Sequence, residues 1–278
     1  MKKCLFVCYL LIFSFTFKAM KLNNIIHPNE IISIYINEED IKNLQIYLKY
    51  KYFDINYFSD YEAIRKKFNY THLESINSFR YPFYYLPYVS PKPALFLETP
   101  LVLVNKSFYL NENFIPKNLD LITNYKLEYT NYEILLKKEV LESLEKMYQD
   151  ALKENINFVI FSGYRSFSRQ EYLYYQIYRD DTISAKPGHS EHQTGYAVDI
   201  SLREVGLTND FKNTKTYNWL INNAQKYGFI LRYQENKTHI TKYAYEPWHF
   251  RYVGIDVATF IKENNLTLEE YIFSYLEI

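Results

Sequence analysis

Three short polar segments between Ser162 and Tyr252 restrict the folds open to this chain, because their side chains can act together only if the fold joins them. The segments begin at Ser162, Ser190 and Glu246, and they read Ser-Gly-Tyr-Arg-Ser, Ser-Glu-His-Gln-Thr-Gly-Tyr-Ala-Val-Asp and Glu-Pro-Trp-His. Within them we assign chemical roles to two imidazoles, two carboxylates and one guanidinium. That set of groups is typical of a metal-dependent hydrolytic site.

Two histidines and one aspartate in these segments predict a zinc site. A catalytic zinc takes three protein ligands and keeps a fourth position open, and His192, Asp199 and His249 supply three. Asp199 lies in an apolar run, where a buried carboxylate would be costly without a cation or another partner. Cys4 and Cys8, the two cysteines of the chain, lie in the N-terminal apolar segment, so we expect no thiolate ligand.

Four further polar residues are candidates for catalysis and substrate binding. Glu246 precedes His249 by three residues, and a carboxylate beside a metal can take a proton from water and pass it to a departing amine. Arg165 follows a predicted strand, and its planar guanidinium could hold a substrate carboxylate or stabilise an oxyanion. Gln170 and Ser190 could form hydrogen bonds with the substrate, although turn formation and capping are equally compatible roles.

The pattern of apolar residues around the segments predicts an α+β fold, with a small antiparallel sheet flanked by helices. Helical spacing of apolar residues predicts an amphipathic helix over residues 134–156. The runs over residues 158–161, 196–201, 229–233 and 244–253 are strand candidates. The strands would carry two of the three predicted zinc ligands.

Local signals predict where three helices begin or end. Ser168, with Glu171 three residues later, predicts a capping box at the start of one helix. Gly228 predicts the C-terminal end of a second helix, because glycine tolerates the left-handed backbone that commonly closes helices. Thr267 with Glu270 predicts another capping box, which would begin the last helix of the chain.

Residues 1–20 predict export from the cytoplasm. A positively charged start precedes an apolar run over residues 5–17, which is the pattern of a signal peptide. At about 1.5 Å per residue the run spans roughly 20 Å, less than the roughly 30 Å of a bilayer's hydrocarbon core. Residues 17–19 match the cleavage pattern poorly, so the segment is either a signal peptide or an uncleaved N-terminal anchor. Both alternatives predict an extracytoplasmic protein.

The distribution of prolines predicts a domain boundary in the N-terminal part of the chain. Four prolines lie between residues 82 and 93, which is typical of an extended linker, so we place a domain boundary there. Residues 21–98 would then be an accessory region of unknown role, and residues 99–278 the catalytic domain.

The charges of the chain are balanced. Lys and Arg together number 32, as do Asp and Glu, so we expect no nucleic-acid partner. A membrane contact is expected only through an uncleaved N-terminal segment.

The same three segments resemble the VanY-type D-alanyl-D-alanine carboxypeptidases. These are zinc metallopeptidases of the group that also contains the lysostaphin-type peptidases and the hedgehog signalling domain. The resemblance extends over about residues 100–278, without a departure at any motif position. The motifs that carry it are Ser162-Gly163-Tyr164-Arg165-Ser166, Ser190-x-His192-x-x-Gly195-x-Ala197-x-Asp199 and Glu246-Pro247-Trp248-His249-Phe250-Arg251-Tyr252-Val253-Gly254.

The resemblance implies a fold like that of the hedgehog domain and the D-Ala-D-Ala peptidases, with one zinc ion in the catalytic domain. The three predicted ligands would hold the zinc, Glu246 would be the catalytic base, and Arg165 would contact the substrate or the transition state. The region of Gln170 and Ser190 would line the pocket. The implied substrate is the peptide stem of peptidoglycan, from which the enzyme would remove the terminal D-alanine.

Three alternative functions are compatible with the same sequence. An L,D-carboxypeptidase and an endopeptidase acting on cross-links would use the same fold, because the shape of the pocket decides between these specificities. A non-catalytic binding module with a structural zinc is the third. Glu246 and Arg165 disfavour it, because a structural zinc site needs neither a base nor an arginine.

Overall fold

The computed structural model of the protein describes residues 37–81, 88–123 and 133–276. The chain forms two compact units, Met1–Ile76 and Asn77–Ile278. The predicted signal peptide or anchor, residues 1–20, lies outside the described residues. Across the described ranges, no helix is both long enough and apolar enough to cross a membrane.

The first unit is largely helical where it is described. It contains α1 (Glu38–Tyr47), α2 (Phe58–Phe68) and the beginning of α3 (His72–Arg80). A buried carboxylate joins two of these helices, because the Tyr47 hydroxyl donates to Glu62 over 3.1 Å and Arg65 pairs with Glu62 at 2.6 Å. The hydrogen bonds and the ion pair satisfy a charge that would otherwise be costly to bury.

The second unit combines helices with short strands. Its helices after α3 are α4 (Lys138–Lys153), α5 (Phe167–Tyr172), α6 (Lys215–Asn223), α7 (Thr238–Thr241), α8 (Ile255–Glu263) and α9 (Leu268–Tyr275). Its strands are β1 (Lys92–Pro93), β2 (Phe108–Tyr109), β3 (Leu119–Leu121), β4 (Leu135–Lys137), β5 (Val159–Ser162), β6 (Ala197–Ser201), β7 (Phe229–Leu231) and β8 (His249–Tyr252). The α+β class predicted from the sequence is confirmed.

A four-stranded antiparallel sheet lies at the centre of this unit, in the strand order β5-β6-β8-β7. Successive side chains on β6 alternate between the two faces, so Val198 and Ile200 point one way while Ala197 and Asp199 point the other. All five residues of β6 are buried, which means that both faces of the strand are covered. Asp199 is therefore presented on an interior strand rather than at the surface.

Helix α4 contributes an apolar face to the same core as the central strands. Its buried residues follow helical spacing and are Val140, Leu144, Met147, Tyr148 and Ala151. They belong to one hydrophobic cluster with Val198, Ile200 and Phe250 of the sheet. Packing of this kind supplies the rigid support on which a precisely arranged site depends.

Two predicted elements have different ends in the structure. The helix predicted over residues 134–156 begins only at Lys138, because Leu135–Lys137 instead pairs with β3 as an antiparallel strand. The strand predicted over residues 244–253 is confined to His249–Tyr252. Both regions carry apolar residues whose periodicity does not by itself separate the end of a helix from a short strand.

Two of the three predicted helix signals are confirmed. Gly228 has a φ of 84° and closes the turn that follows α6, as expected for a glycine in the left-handed region. Thr267 and Glu270 form the predicted capping box at the start of α9. The cap predicted at Ser168 is wrong, because Ser166 caps α5 by accepting a hydrogen bond from the backbone N–H of residue 169.

The proline-rich segment is not a free linker over its whole length. Residues 82–87 lie outside the described residues, but Lys92–Pro93 forms β1 and pairs in parallel with β2. The two compact units divide after Ile76, before the proline-rich segment. The assignment of residues 21–98 to an accessory region and of residues 99–278 to the catalytic domain stays a prediction.

Candidate active site

The central sheet places two of the predicted zinc ligands next to each other. Strand β6 pairs antiparallel with β8, and Asp199 lies directly opposite His249 in the register of that pair. Directly opposed residues on one face of a sheet have Cβ atoms about 5 Å apart, close enough for their side chains to share a ligand. Strand pairing thus joins two residues that are far apart in the sequence.

The third predicted ligand reaches the same place from a tight turn. His192 lies in the 3₁₀ turn Glu191–Thr194, which ends at Gly195 with a φ of 74° immediately before β6. The His192 Nδ1–H donates to the backbone carbonyl of Gly163 over 2.7 Å, since a carbonyl oxygen can only accept. That hydrogen bond leaves Nε2 unprotonated and therefore able to bind a metal ion.

The donor atoms of the three residues have a spacing that suits one metal ion. They all lie within 4.8 Å of one another, and all three residues are buried. His192 Nε2 is 3.2 Å from Asp199 Oδ2, and His249 Nδ1 is 3.2 Å from Asp199 Oδ1. Two atoms held at about 2.0–2.1 Å from a tetrahedral zinc are about 3.3 Å apart, and each histidine nitrogen lies at about that distance from one of the two Asp199 oxygens. Asp199 Oδ1 is also buried without a hydrogen-bond partner in the part of the chain that the structure describes, so the residues fit a bound cation.

Electrostatics in the site favour a positive charge between these side chains. Burial alone would raise the pKa of Asp199, but His192 and His249 outweigh it and hold that pKa well below its usual range. Burial lowers the pKa of His249, yet Asp199 and Glu191 raise it to about 9. A buried carboxylate that stays ionised needs a compensating cation, which a metal ion can provide.

Glu246 lies beside the ligand group without belonging to it. Its Oε2 is 3.5 Å from His249 Nδ1, and its carbonyl accepts the backbone N–H of His249 over 3.2 Å in a tight turn. The side chain keeps 19% of its surface exposed. Burial raises the pKa of Glu246 to about 7, which is the range that suits a proton acceptor at neutral pH.

Arg165 faces the site from the end of β5. Its Nη1 donates to Gln170 over 2.9 Å, and its Nη2 donates to the Ser162 hydroxyl over 3.0 Å. The same Nη2 lies 3.9 Å from Asp199 Oδ2. About a fifth of the side chain is exposed, so the guanidinium is held in place and still accessible to an anion.

Gln170 and Ser190, the two predicted substrate contacts, have different surroundings. Gln170 is buried, accepts from Arg165, and donates to the Ser184 hydroxyl and to the Ala185 carbonyl. The Gln170 side chain therefore forms its hydrogen bonds with groups of the protein, and one of these bonds holds the Arg165 guanidinium in place. Ser190 is also buried and precedes the turn that carries His192, but its side chain does not cap that turn. Substrate binding by either residue stays a prediction.

One residue of the site was missed in the sequence. Glu191 received no role there, yet its side chain is fully buried beside Arg232, Arg251 and His249. Burial alone would raise its pKa, but the two guanidinium groups hold the pKa well below its usual range. The available signal was an acidic residue next to a predicted ligand in an otherwise buried segment, which sequence alone does not separate from a surface acid.

Comparison with known proteins finds a family match that spans the site. Residues 133–255 match the model of the VanY family, described as D-alanyl-D-alanine carboxypeptidase. The chain is also similar to VanXYC of Enterococcus gallinarum, a bifunctional D-Ala-D-Ala dipeptidase and D-Ala-D-Ala carboxypeptidase. The two are 33% identical over 62% of this chain and 92% of that protein.

Solved structures with the same fold include enzymes of two specificities. The LdcB LD-carboxypeptidase, solved to explain peptidoglycan recognition, is 39% identical with a TM-score of 0.60, over 70% of this chain and 97% of that chain. A mutant of the vancomycin-resistance D,D-pentapeptidase VanY in complex with Zn(II) is 31% identical with a TM-score of 0.51, over 62% of this chain and 98% of that chain.

Proposed function

Because the chain belongs to the VanY family of D-alanyl-D-alanine carboxypeptidases, we propose that it is a zinc-dependent D,D-carboxypeptidase that removes the terminal D-alanine from peptidoglycan stem peptides. The coarser activity, carboxypeptidase hydrolysis of peptidoglycan peptides, follows from family membership. The observation that carries zinc-dependent hydrolysis is the buried group His192, Asp199 and His249, with Glu246 beside it. The choice of D,D specificity is supported by the similarity to VanXYC and to the VanY structure.

Zinc is the metal that best suits this group of residues. His192 Nε2, His249 Nδ1 and an Asp199 oxygen would hold it, in the two-imidazole and one-carboxylate combination that catalytic zinc sites use. The VanY structure in complex with Zn(II) supports the same choice. A bound zinc ion supplies Lewis-acid activation of water and of the scissile carbonyl.

The residues around the ligands would move the protons and balance the charge. Glu246 takes a proton from the attacking water and delivers it to the nitrogen of the departing D-alanine. The remaining hydroxyl joins the scissile carbonyl carbon as the carbon–nitrogen bond breaks. Arg165 binds the terminal carboxylate of the substrate or stabilises the negative charge that develops on the carbonyl oxygen. The products are D-alanine and a stem peptide one residue shorter.

A specific observation keeps L,D-carboxypeptidase activity as the second candidate. The LdcB structure is an LD-carboxypeptidase, and it covers 70% of this chain with a TM-score of 0.60. VanXYC and the VanY structure support the D,D alternative. Both reactions need the same metal and base, and they differ in the configuration of the residue that precedes the bond.

The experiment is digestion of three defined stems, with the products separated by chromatography. The stems are a pentapeptide ending in D-Ala-D-Ala, a tetrapeptide ending in a single D-Ala, and a cross-linked dimer. D-Alanine release from the pentapeptide that stops with a chelator and returns with zinc would support the proposal. Release from the tetrapeptide alone would assign L,D activity, and cleavage of the dimer alone an endopeptidase. No hydrolysis of any stem by the zinc-loaded protein would leave only a binding module.

We also propose that the protein acts outside the cytoplasm. The apolar pattern of residues 1–20 supports export, and peptidoglycan is an extracytoplasmic polymer. Fractionation of cells that express the full chain tests the location, with an antibody against the second compact unit, Asn77–Ile278, which contains the site and is called the catalytic unit below. Recovery of the protein only in the cytoplasmic fraction would contradict this proposal.

A further inference from the structure

We propose that Glu191 is a positioning residue, which orients the imidazole of His249 so that Nδ1 faces the metal. The inference rests on the proposed function, because it assumes a metal at this site. It concerns a residue that takes no part in ligation or in the proton transfer described above.

The first observation concerns two buried atoms that lie opposite each other. Glu191 Oε2 and His249 Nε2 are both buried, and neither has a hydrogen-bond partner among the described residues. They face each other across 3.5 Å. A normal N–H···O bond is about 2.9 Å long, so a movement of roughly half an ångström would complete the pair. Buried polar atoms are almost always paired, which makes this contact the expected one.

The pairing would decide which nitrogen of His249 binds the metal. A carboxylate can only accept, so His249 Nε2 must carry the proton that it donates to Glu191. In the neutral ring that binds a metal, Nδ1 is then the unprotonated nitrogen, and it lies 3.2 Å from Asp199 Oδ1. Metal-bound histidines commonly donate their other N–H to a carboxylate or a carbonyl, which holds both the tautomer and the ring orientation.

Both histidines of the site face a buried acceptor with one ring nitrogen and Asp199 with the other, but the two nitrogens exchange roles between them. His192 donates its Nδ1–H to the carbonyl of Gly163 over 2.7 Å and keeps Nε2 free. His249 has the opposite arrangement, with Nε2 directed at Glu191 and Nδ1 directed at the ligand group. Each ring therefore has one nitrogen facing Asp199 and the other facing a buried acceptor.

The other oxygen of Glu191 explains why Oε2 is available for His249. Glu191 Oε1 accepts from Arg232 Nε over 2.8 Å and from Arg251 Nη1 over 2.9 Å. All three side chains are fully buried. The two guanidinium groups neutralise the carboxylate and occupy one oxygen, which leaves the second oxygen directed at the imidazole.

Anchors on other elements hold the two arginines in place. Arg232 donates to Glu269 of α9 over 2.8 Å through Nη1. Arg251 donates through Nη2 to the carbonyls of Pro100 and Val102, each over 2.8 Å. Glu191 is thus held by two arginines that are themselves anchored, as a positioning residue must be if it is to restrict a neighbouring ring.

Replacement of Glu191 with glutamine should change which nitrogen of His249 carries the proton. The two arginines need an acceptor, so they would take the amide oxygen and turn the amide NH₂ toward His249 Nε2. Nε2 would then have to accept, which moves the ring proton to Nδ1 and removes that nitrogen as a ligand. The variant E191Q keeps the size of the side chain while selecting the wrong tautomer.

The test measures zinc affinity and tautomer in the full chain, with E269Q as the matched control. E269Q also removes a buried carboxylate from Arg232 but does not contact His249. Competition with a chromophoric chelator should show E191Q binding zinc about 10–100-fold more weakly than wild type. The loss in E269Q should be clearly smaller, because Arg251 still holds Glu191 in that variant. Nitrogen-15 NMR of the histidine rings should place the proton of His249 on Nε2 in zinc-loaded wild type, and on Nδ1 in E191Q.

Several results would overturn the inference. Equal zinc affinity in E191Q and wild type would do so, as would equal losses in E191Q and E269Q. If E191Q does not fold, the wild-type spectrum decides alone, and a proton on Nδ1 of His249 in the zinc-loaded protein contradicts the assignment. Wild-type protein that binds no zinc would overturn the proposed function together with this inference. Wild-type protein that binds zinc as tightly as E191Q would overturn the inference about Glu191 alone.

Discussion

At the scale of single residues, the surroundings give two neighbouring carboxyl groups different properties. Burial raises the pKa of Glu246 to about 7, whereas His192 and His249 hold the pKa of Asp199 well below its usual range despite burial. One group can therefore exchange a proton near neutral pH, and the other stays anionic. Such a separation of pKa values is how active sites divide the roles of base and metal ligand between similar side chains.

Glu246→Gln should abolish most turnover without releasing the metal. The amide cannot accept the proton of water, so kcat should fall by about 10²–10⁴-fold. Zinc content should stay at the wild-type value, because Glu246 is not among the three grouped ligands. The measurements are kcat on a defined stem peptide and metal content after dialysis. Glu263→Gln, a change at an exposed position, is the control. Full activity of E246Q would refute the assigned base.

Gln170→Ala should weaken the enzyme through Arg165 rather than through the metal. The change removes the acceptor that holds Arg165 Nη1 and leaves the buried Ser184 hydroxyl and the half-buried Ala185 carbonyl without their donor. We expect a loss of about 1–3 kcal/mol in the free energy of unfolding, a lower kcat/KM and unchanged zinc affinity. Chemical denaturation and kinetics measure these quantities, with Glu171→Gln on the same helix as the control. Unchanged kcat/KM would show that Arg165 needs no such support.

At the scale of elements, the end of β5 depends on a glycine packed against β4. A Cβ on Gly163 would lie 2.5 Å from the Leu135 carbonyl oxygen and 2.8 Å from Ile134 Cγ2. Tyr164, the next residue, donates its backbone N–H to the same carbonyl over 2.7 Å. The close approach of these two segments places the carbonyl of Gly163 where it accepts from His192.

Gly163→Ala should therefore reduce both stability and metal affinity. The added methyl group must displace backbone, which typically costs about 1–3 kcal/mol in the free energy of unfolding. The same displacement moves the acceptor of His192 and should weaken zinc binding. Gly206→Ala is the control, because a Cβ there meets nothing within 4 Å, although its φ of 70° still predicts a loss of stability. Denaturation and chelator competition measure both effects, and wild-type zinc affinity in G163A would contradict the coupling.

At the scale of the whole molecule, the described residues just after position 76 make contacts within the second unit, Asn77–Ile278. Asn77 donates to the Ser274 hydroxyl over 3.0 Å, and Arg80 donates to the Phe273 carbonyl over 2.7 Å. Strand β1 pairs with β2 in the same unit. A boundary near residue 76 is therefore an alternative to the predicted one near residue 98, which stays a prediction.

Two truncated chains separate these boundaries. A chain that starts at residue 77 should melt near the temperature of the catalytic unit in the full protein and bind zinc, because every site residue lies within it. A chain that starts at residue 99 should be less stable, by about 0.5–1.5 kcal/mol for each hydrogen bond that it loses. Calorimetry and zinc binding compare the two. Equal stability of both chains would support the boundary predicted from the prolines.

Prediction from the sequence succeeded where chemistry and local backbone are decisive. Side-chain type and short spacing singled out residues that the structure brings together, with Glu246 and Arg165 beside them, because donor chemistry belongs to each residue. The roles of these residues stay predictions. Gly228 and Thr267 were predicted correctly as helix signals, since a cap depends on a few consecutive residues.

The remaining features depend on contacts between segments that are distant in the chain. The register that sets Asp199 against His249 is a property of two paired strands, and no single segment contains it. The strand at Leu135–Lys137 replaced the start of a predicted helix because β3 was available to pair with it. Glu191 looks like any acidic residue until burial removes water from it and places two guanidinium groups and an imidazole around it. Side-chain chemistry is local and can be read from the sequence, whereas register and burial arise only when the chain has folded.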